Sequence, residues 1–492
     1  MKNLKTSLII ISILCFVGAS DAVAGEGNPQ KRIALSIAQV SKLALENNID
    51  IQIAKYDAYI NRTAVSEVNS IFDTVLKASA VHSDDQRKSG STFSGTKNTA
   101  NDYSLGIEKK IISGTTLGVD FEDSRSWTNS AFTSVNPAHD ASVRFSISQP
   151  LGRNFLGLVD RGNVKVTKLE VANSDSYALD RIEQSLASVQ SAYWQLMLKY
   201  AELEIEKDML KKAQELYAIF KEQSKLGLVE DAELFASGAN VEERRASVTA
   251  AQNNVLLANN ALLLLLQEED SEIVILPEEV FSVPPEPLAL DQSLRIAIAQ
   301  RRDYQQANND IEVKKINLDM KKNNLWPQID LEASFLHNGL EVSQEDAWGN
   351  TTEEDNPQLY AGITVRVPLE NSSARGAQKK AQIEKAKALL QLKKVEHKIV
   401  IEVNDATNTL NNAAEQIGFK ERIVVLQSKK LVFEEKRFSS GRSNSDTLIR
   451  YQEDLLRAKI GLAGARCAYK LALIDLKLAQ NSLLDEYWQG KL

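Results

Sequence analysis

Histidine is the side chain with which this sequence would most readily perform acid–base or metal chemistry, and its four copies are widely separated. His82, His139, His337 and His397 lack the spacing that ligates zinc or supplies a general base. No glycine-rich phosphate loop follows a predicted strand. The sequence therefore predicts no enzyme activity, no cofactor and no metal site, and it favours a structural or surface role for each histidine.

Carboxylates follow two glycine-containing turns that each separate a pair of predicted helices. The residues concerned are Asp231 and Glu233 after Gly227, and Asp446, with Arg450 one helical turn beyond it, after Gly441. In the first turn of a helix, an acidic side chain caps free backbone N–H groups and interacts favourably with the helix dipole. For Asp446 this structural role and a functional role, described below, both stay open.

The same turns end two long helices of equal length. Their bounds are an Arg-Gly pair and the turn glycine, at 161–227 and 375–441, an interval of 66 residues in each copy. Apolar residues recur in alternating steps of three and four, as from Ile182 to Tyr217, which is the heptad pattern of knobs-into-holes packing. At about 1.5 Å per residue, each helix is roughly 99 Å long. The equal lengths of the two helices indicate that they stand side by side as struts of a single wall.

The whole chain follows a duplicated plan of helix, strands, long helix, turn and second helix. Two helices of roughly 35 residues, placed end to end, have the length of one long helix. We therefore expect each half to contain two parallel rods, one a continuous helix and the other broken near its middle. The predicted organisation is: signal peptide 1–24; first repeat 25–266 with an extra hairpin 103–121, long helix 161–226 and helix 232–266; linker 267–289; second repeat 290–484 with two strands, long helix 375–440 and helix 446–483; tail 485–492.

Four main strands are indicated by alternating apolar and polar residues. They lie at 75–81, 143–149, 329–335 and 359–367, and the extra hairpin adds a further pair. Strands of about ten residues cross a bilayer when tilted, but four strands cannot close a barrel of about eight or more. An open sheet in lipid would leave unpaired edges, so the chain should be an oligomer. The hairpin either extends the barrel outward or folds over its mouth.

Composition narrows the class of protein further. The first 24 residues have the basic, apolar and small-residue regions of a secretory signal peptide. After cleavage only Cys467 remains, so the exported chain has no intramolecular disulfide. No later apolar stretch is long enough for a membrane-spanning helix. A formal charge of -8 argues against a nucleic-acid partner.

At this point the chain resembles the TolC-like outer-membrane efflux protein family. The resemblance rests on the duplicated plan and on short motifs in a fixed order: the run Leu325 to Leu331, Gln149 to Leu151 echoed by 367–369, and the turns at 225–229 and 440–442. It implies a homotrimer whose chains share one barrel, continuing into a long periplasmic tunnel. It also implies a periplasmic membrane-fusion adaptor and an inner-membrane transporter as partners.

The resemblance also implies roles for three groups of residues. The residues implied to bind the adaptor lie at the helical tips: Leu226, Gly227, Leu228, Ser440, Gly441 and Arg442. The residues implied to form a periplasmic entrance gate are Asp231, Glu233, Asp446 and Arg450. In a trimer, each acid would form a ring of three carboxylates, which would favour cations. Junction residues between the barrel and the tunnel are Pro150, Trp326, Pro327 and Pro368, where proline directs the chain between helix and strand.

The expected fold class is thus α plus a transmembrane β-barrel. It consists of a duplicated helix–strand repeat and a trimeric barrel of four main strands per chain, which continues into a coiled-coil tunnel in the periplasm. The expected function is an exit duct in the outer membrane of a Gram-negative-type cell, for tripartite efflux or type I secretion, with outer-membrane lipid around it. The alternative is a secreted or periplasmic coiled-coil scaffold without a channel.

Overall fold

The computed structural model describes residues 31–87, 93, 95–226, 229–268, 270, 272–279, 289–353, 357–440 and 442–488. The predicted signal peptide lies outside these residues, as do Gly227, Leu228 and Gly441 of the predicted tips. No helix in the part of the chain that is described combines the length and the apolar character needed to cross a membrane.

Helices make up most of the molecule, and they occur in matching pairs. In the first half they are α1 (Ile37–Asn47), α2 (Ile49–Asn69), α3 (Leu158–Lys225) and α4 (Asp231–Leu266). In the second half they are α5 (Leu290–Gln300), α6 (Arg302–Asn323), α8 (Ser372–Ser439) and α9 (Ser445–Gln480), with a further short helix, α7 (Gln344–Glu353), between two strands. Both long helices have 68 residues, and the helices that follow them both have 36.

The first helix of each half is divided by one residue with extended backbone. Asn48 separates α1 from α2, and its side chain accepts a hydrogen bond from the backbone N–H of Ile51 at 3.1 Å. Arg301 separates α5 from α6 in the same way. Each break lies beside the C-terminal end of a 36-residue helix. Asn48 Nδ2 donates to the Leu265 carbonyl in the last turn of α4 at 2.7 Å, and Arg301 donates to the Ala479 carbonyl in the last turn of α9 at 3.1 Å. Each half therefore holds a continuous rod and a broken one.

Two short strands, absent from the sequence prediction, tie the start of the chain to the segment that joins the halves. Strand β1 (Arg32–Leu35) pairs in parallel with β6 (Val274–Pro277). Ser36 then caps α1 with a reciprocal capping box to Gln39. Asn259 anchors β6 by donating to the Ile273 carbonyl and accepting from the Ile275 N–H, both at 2.8 Å.

Six long strands form one antiparallel sheet at the end of the helices. They are β2 (Thr74–Asp85), β3 (Asn98–Lys110), β4 (Thr116–Thr128), β5 (Ala138–Pro150), β7 (Gln328–Glu341) and β8 (Pro357–Arg366), and their order in the sheet is β2-β3-β4-β5-β7-β8. The four main strands and both strands of the extra hairpin are all present. The hairpin neither extends outward nor folds over the mouth: it is inserted in the sheet between β2 and β5, because its strands pair with both neighbours.

The short helix α7 covers one face of the sheet at the end farthest from the long helices. Ala347 is fully buried against Gly339 of β7, where a Cβ atom would lie 2.2 Å from the Ala347 carbonyl oxygen. Nδ1 of His337 lies 2.9 Å from the carbonyl oxygen of Thr351. His337 therefore has a structural partner here.

The main core lies where the broken rod of the first half packs against α3. Its largest fully buried side chains include Tyr193, Ile182, Leu186 and Leu196 of the predicted heptad seam. The hydroxyl group of Tyr193 donates to the Leu35 carbonyl at 2.9 Å, which satisfies its polar atom inside the core. The seam thus performs the packing role that its spacing predicts.

Candidate functional sites in the sheet and at the helical tips

One face of the six-stranded sheet is apolar across its whole width. The strand register places one side chain from each strand side by side in a row: Leu76, Ile107, Val119, Phe145, Phe335 and Leu359. These side chains remain largely uncovered, with Leu359 80% exposed and Leu76 65% exposed. A broad apolar face left uncovered in a folded chain marks a surface that contacts lipid or another protein.

The opposite face of the sheet is polar. One position further along the strands, the row reads Lys77, Gly106, Asp120, Arg144, Leu336 and Gln358. Lys77 is paired with Glu108 of the next strand, and Arg144 lies 3.9 Å from Glu122. A sheet that is apolar on one face and charged on the other matches the wall of a water-filled barrel in lipid.

The predicted junction residues lie where the strands meet the helices. Pro150 ends β5, Trp326 and Pro327 directly precede β7, and Pro368 lies between β8 and α8. Arg153 ties two of them together: its Nε donates to the Trp326 carbonyl at 2.8 Å and its backbone N–H to that of Pro327 at 3.1 Å.

Three residues of the predicted docking tips are described, and all are exposed. Leu226 ends the long helix α3 with 72% of its surface exposed. Ser440 ends α8, and its hydroxyl donates to the Lys436 carbonyl at 2.9 Å. The backbone N–H of Arg442 donates to the Arg437 carbonyl at 2.9 Å, so this turn is closed by the backbone of the helix end. These three exposed residues are free to contact another molecule.

The three predicted gate acids lie in the first turns of the helices that leave the tips, and Arg450 lies one turn further along α9. Asp231 and Glu233 are in the first turn of α4, and Asp446 is in the first turn of α9. The cap of α9 is Asn444, which accepts from the Thr447 N–H at 3.0 Å, so the predicted capping role does not belong to Asp446. Between Asp446 and Arg450, both within the described chain, there is no ion pair.

Charged groups that the sequence analysis did not single out hold α9 against α8 beyond the tip. Lys430 Nζ lies 2.8 Å from Asp454 Oδ2 and 3.6 Å from the ring centroid of Tyr451. Arg457 binds the other carboxylate oxygen of Asp454 at 2.7 Å. Hydrogen bonds from Lys430 and then Arg457 hold the pKa of Asp454 below its ordinary value of 3.8. The Asp454–Arg457 spacing is a detectable sequence signal, whereas the Lys430 contact crosses between helices.

A buried carboxylate closes the turn between α8 and α9. Glu434 is 4% exposed, accepts a hydrogen bond from Ser443 and pairs with Arg437 at 3.3 Å. Beside it, a groove of about 870 Å³ separates the two helical hairpins, and Phe220 and Phe438 meet in its wall with ring centroids 5.5 Å apart. Within the described residues, no group of three or more His, Cys, Asp or Glu side chains is placed to hold a metal ion.

The sheet, the paired long helices and the exposed tips together define the architecture of a β-barrel that continues into a helical tunnel. Residues 294–482 match the family described as outer membrane efflux protein. That family is one of channels rather than enzymes. The match and the shared fold confirm the resemblance that the sequence predicts.

Solved structures show the same fold over most of the chain. The CmeC outer membrane channel of Campylobacter jejuni is 14% identical, with a TM-score of 0.66, over 91% of this chain and 85% of that one. VceC of Vibrio cholerae is 14% identical, with a TM-score of 0.66, over 90% and 95%. The open state of the MtrE outer membrane channel of Neisseria gonorrhoeae is 16% identical, with a TM-score of 0.64, over 91% and 89%. Among curated proteins, no sequence match is found.

Proposed function

We propose that this protein is the outer-membrane exit duct of a tripartite efflux or type I secretion system. The observation that carries the proposal is the sheet with one apolar and one charged face, joined directly to two pairs of long helices. The match to the outer membrane efflux proteins supports the same function. The duct conducts solutes or polypeptides passively, and the energy comes from the transporter in the inner membrane.

The two open edges of the sheet support an assembly in which several chains share one barrel. Strands β2 and β8 form the two edges of the sheet, and the outer side of each has no strand partner within the described chain. Unpaired backbone groups are costly in lipid, and closure removes both edges. The CmeC and MtrE channels share this fold, and the resemblance to the TolC-like family implies that the closed assembly is a homotrimer.

Two helical hairpins form the periplasmic end of the duct. The exposure of Leu226, Ser440 and Arg442 supports docking to a periplasmic adaptor, together with Gly227, Leu228 and Gly441. The acids near the tips, Asp231, Glu233 and Asp446, with Arg450, form the entrance gate in this proposal. Pro150, Trp326, Pro327 and Pro368 direct the chain from the barrel into the tunnel.

A coiled-coil scaffold without a channel fits the structure less well. That alternative requires the β segments to form small separate hairpins, whereas all six strands belong to one sheet. The broad apolar face of this sheet would also stay in water.

Fractionation of cells that express the full chain tests the proposal. We expect the mature protein in the outer membrane, migrating as an SDS-resistant trimer that becomes a monomer on heating. Recovery of a monomer from the periplasm, with no membrane-bound fraction, would overturn the channel and favour the scaffold.

A further inference from the structure

The extra hairpin changes the number of strands that each chain contributes to the barrel. We propose that three chains close an eighteen-stranded barrel, with β2 of one chain paired to β8 of the next, and that β3 and β4 are full members of its wall. This inference rests on the proposed trimeric channel. It concerns the width of the pore and the surface through which one copy of the chain binds the next.

Pairing along the hairpin is continuous. All 13 residues of β3 are in register with residues of β4, and all 12 residues of β2 are in register with β3. Strand β4 is then paired with β5 from Thr116 to Ser126. A hairpin that left the wall would lose both outer ladders, and β2 would have to find a new partner.

The side chains of the hairpin follow the same two-faced pattern as the other strands. Ile107 and Val119 lie in the apolar row, between Leu76 of β2 and Phe145 of β5. On the opposite face, Asp120 lies beside Arg144. Strands outside the membrane would not need this alternation, because water would surround both faces.

The turn of the hairpin is anchored to the start of α3. Lys110 Nζ lies 2.6 Å from Asp160 Oδ2, and the Asp160 side chain is only 7% exposed. Gly157 has a φ angle of +67°, and a Cβ atom there would lie 2.1 Å from the Ile112 carbonyl oxygen. The close approach requires glycine at this position. The turn between β3 and β4 therefore lies at the tunnel end of the sheet, where a turn of the barrel wall belongs.

The edge strands have the directions that closure requires. Strand β2 runs away from the helices because it follows α2, and β8 runs toward them because it precedes α8. An even number of strands per chain makes the β2–β8 contact antiparallel, like every other pairing in the sheet. Both edge strands are almost entirely exposed, so a second copy of this chain meets no obstacle there.

The size of the closed barrel fits the tunnel beneath it. At a strand spacing of about 4.8 Å and a tilt of about 40°, eighteen strands have a circumference of about 113 Å and a diameter of about 36 Å, whereas twelve strands have about 75 Å and 24 Å. Next to the sheet, each chain presents α2, α3, α6 and α8 side by side. Twelve such helices at a spacing of about 10 Å have a circumference of about 120 Å. The wider barrel continues the tunnel with little change of width.

Spin labels on neighbouring residues test whether the hairpin is in the wall. Val119→Cys and Asp120→Cys place labels on the two faces of β4, and Phe145→Cys and Arg144→Cys are matched controls at the same rows of β5. Burial raises the pKa of the natural Cys467 thiol to about 11 and leaves it 2% exposed, so it does not compete for the label at pH 7. The full-length trimer is labelled, reconstituted in lipid vesicles and probed with oxygen and with a water-soluble nickel chelate.

The hairpin strand should behave like the ordinary strand. We expect the spin labels at positions 119 and 145 to behave alike, with high collision rates for oxygen and low rates for the nickel chelate. The labels at positions 120 and 144 should also behave alike, with low collision rates for oxygen and high rates for the nickel chelate. Exposure of Val119 to nickel while Phe145 stays in lipid would overturn the eighteen-stranded barrel alone. Exposure of Phe145 as well would overturn the membrane channel itself. Leu105→Cys and Ser104→Cys on β3 repeat the test if either β4 variant fails to assemble.

Disulfide cross-linking tests the closure between chains. Ala78→Cys on β2 is combined in turn with Leu359→Cys, Ala361→Cys and Ile363→Cys on the same face of β8. One combination should give trimers that resist heating until the disulfide is reduced. Tyr360→Cys, on the opposite face of β8, is the control that should not cross-link. The absence of cross-links from every combination in an assembled trimer would overturn the β2–β8 contact.

Discussion

Charged side chains near the tips differ in how firmly they are held. Asp454 is bound by two cations from two helices and its side chain is 25% exposed, whereas Asp446 and Arg450 are both exposed. Asp446 and Arg450, both among the described residues, form no ion pair with each other, so these charges at the tip are suited to opening and closing. In the proposed gate, the Asp454 cluster positions α9 while the residues nearer the turn close the entrance.

Replacing Asp446 or Arg450 with Ala should raise the conductance of single channels in planar bilayers. The physical reason is that each change removes one charge from the proposed ring of three chains at the entrance. Glu396→Ala, an exposed acid in the middle of α8, is the matched control and should leave the conductance unchanged. Unchanged conductance in both tip variants would remove these residues from the gate.

Asp454→Asn should loosen the first turns of α9 at pH 7 but not in acid. The folded state holds the pKa of Asp454 below 3.8, so its stabilisation is complete above the pKa of the unfolded chain and is lost as the pH falls through the lower folded value. Because Lys430 is 38% exposed, the pair contributes at most about 1 kcal/mol, a factor of about five in opening. Hydrogen exchange of the α9 amides, compared between variant and natural protein at each pH, measures the difference. Equal exchange at pH 7 would show that the cluster does not position α9.

At the scale of elements, the two long helices act as struts of the same length. Both contain 68 residues, and each is matched by a 36-residue helix and a shorter pair of helices placed end to end. Glu421 pairs with Arg466 and Lys430 with Asp454, which sets α8 and α9 in antiparallel register. A change of length in one strut alone must therefore shift one tip relative to the other.

Deleting residues 208–214 from α3 alone should prevent assembly far more than a matched deletion. The matched variant removes seven residues from each of four helices: 208–214 of α3, 244–250 of α4, 422–428 of α8 and 458–464 of α9. Each helix then loses one heptad, and the heptad seams between them stay in register. The yield of heat-modifiable trimer in the outer membrane measures assembly. Equal yields from the two variants would contradict the strut interpretation.

Local patterns in the sequence predict the elements better than their connections. The heptads from Ile182 to Tyr217 predict a long packed helix because the spacing of apolar residues is set locally, turn by turn. The breaks at Asn48 and Arg301 escape this reasoning, since they depend on contacts with Leu265 and Ala479 in distant helices. The insertion of the hairpin into the sheet likewise depends on pairing between β4 and β5, which alternation alone does not specify.

At the scale of the whole molecule, the proposed duct consists of two stacked cylinders, a barrel and a tunnel, that several chains build together. The sheet alone has two open edges, and its apolar row would face water in a monomer. In the proposed duct, adaptor docking and gating involve the tips, whereas lipid contact and closure involve the sheet, about 100 Å away at about 1.5 Å per residue of α3. The two ends are therefore open to separate mutational tests.

Single-channel recording of the purified trimer in planar lipid bilayers is a direct test of whether this chain forms an outer-membrane duct. We expect stable unitary conductance steps from the heat-modifiable trimer and none from the same sample dissociated by heating. A trimer that inserts into bilayers without conducting, or a chain that remains a soluble monomer, would contradict the outer-membrane duct.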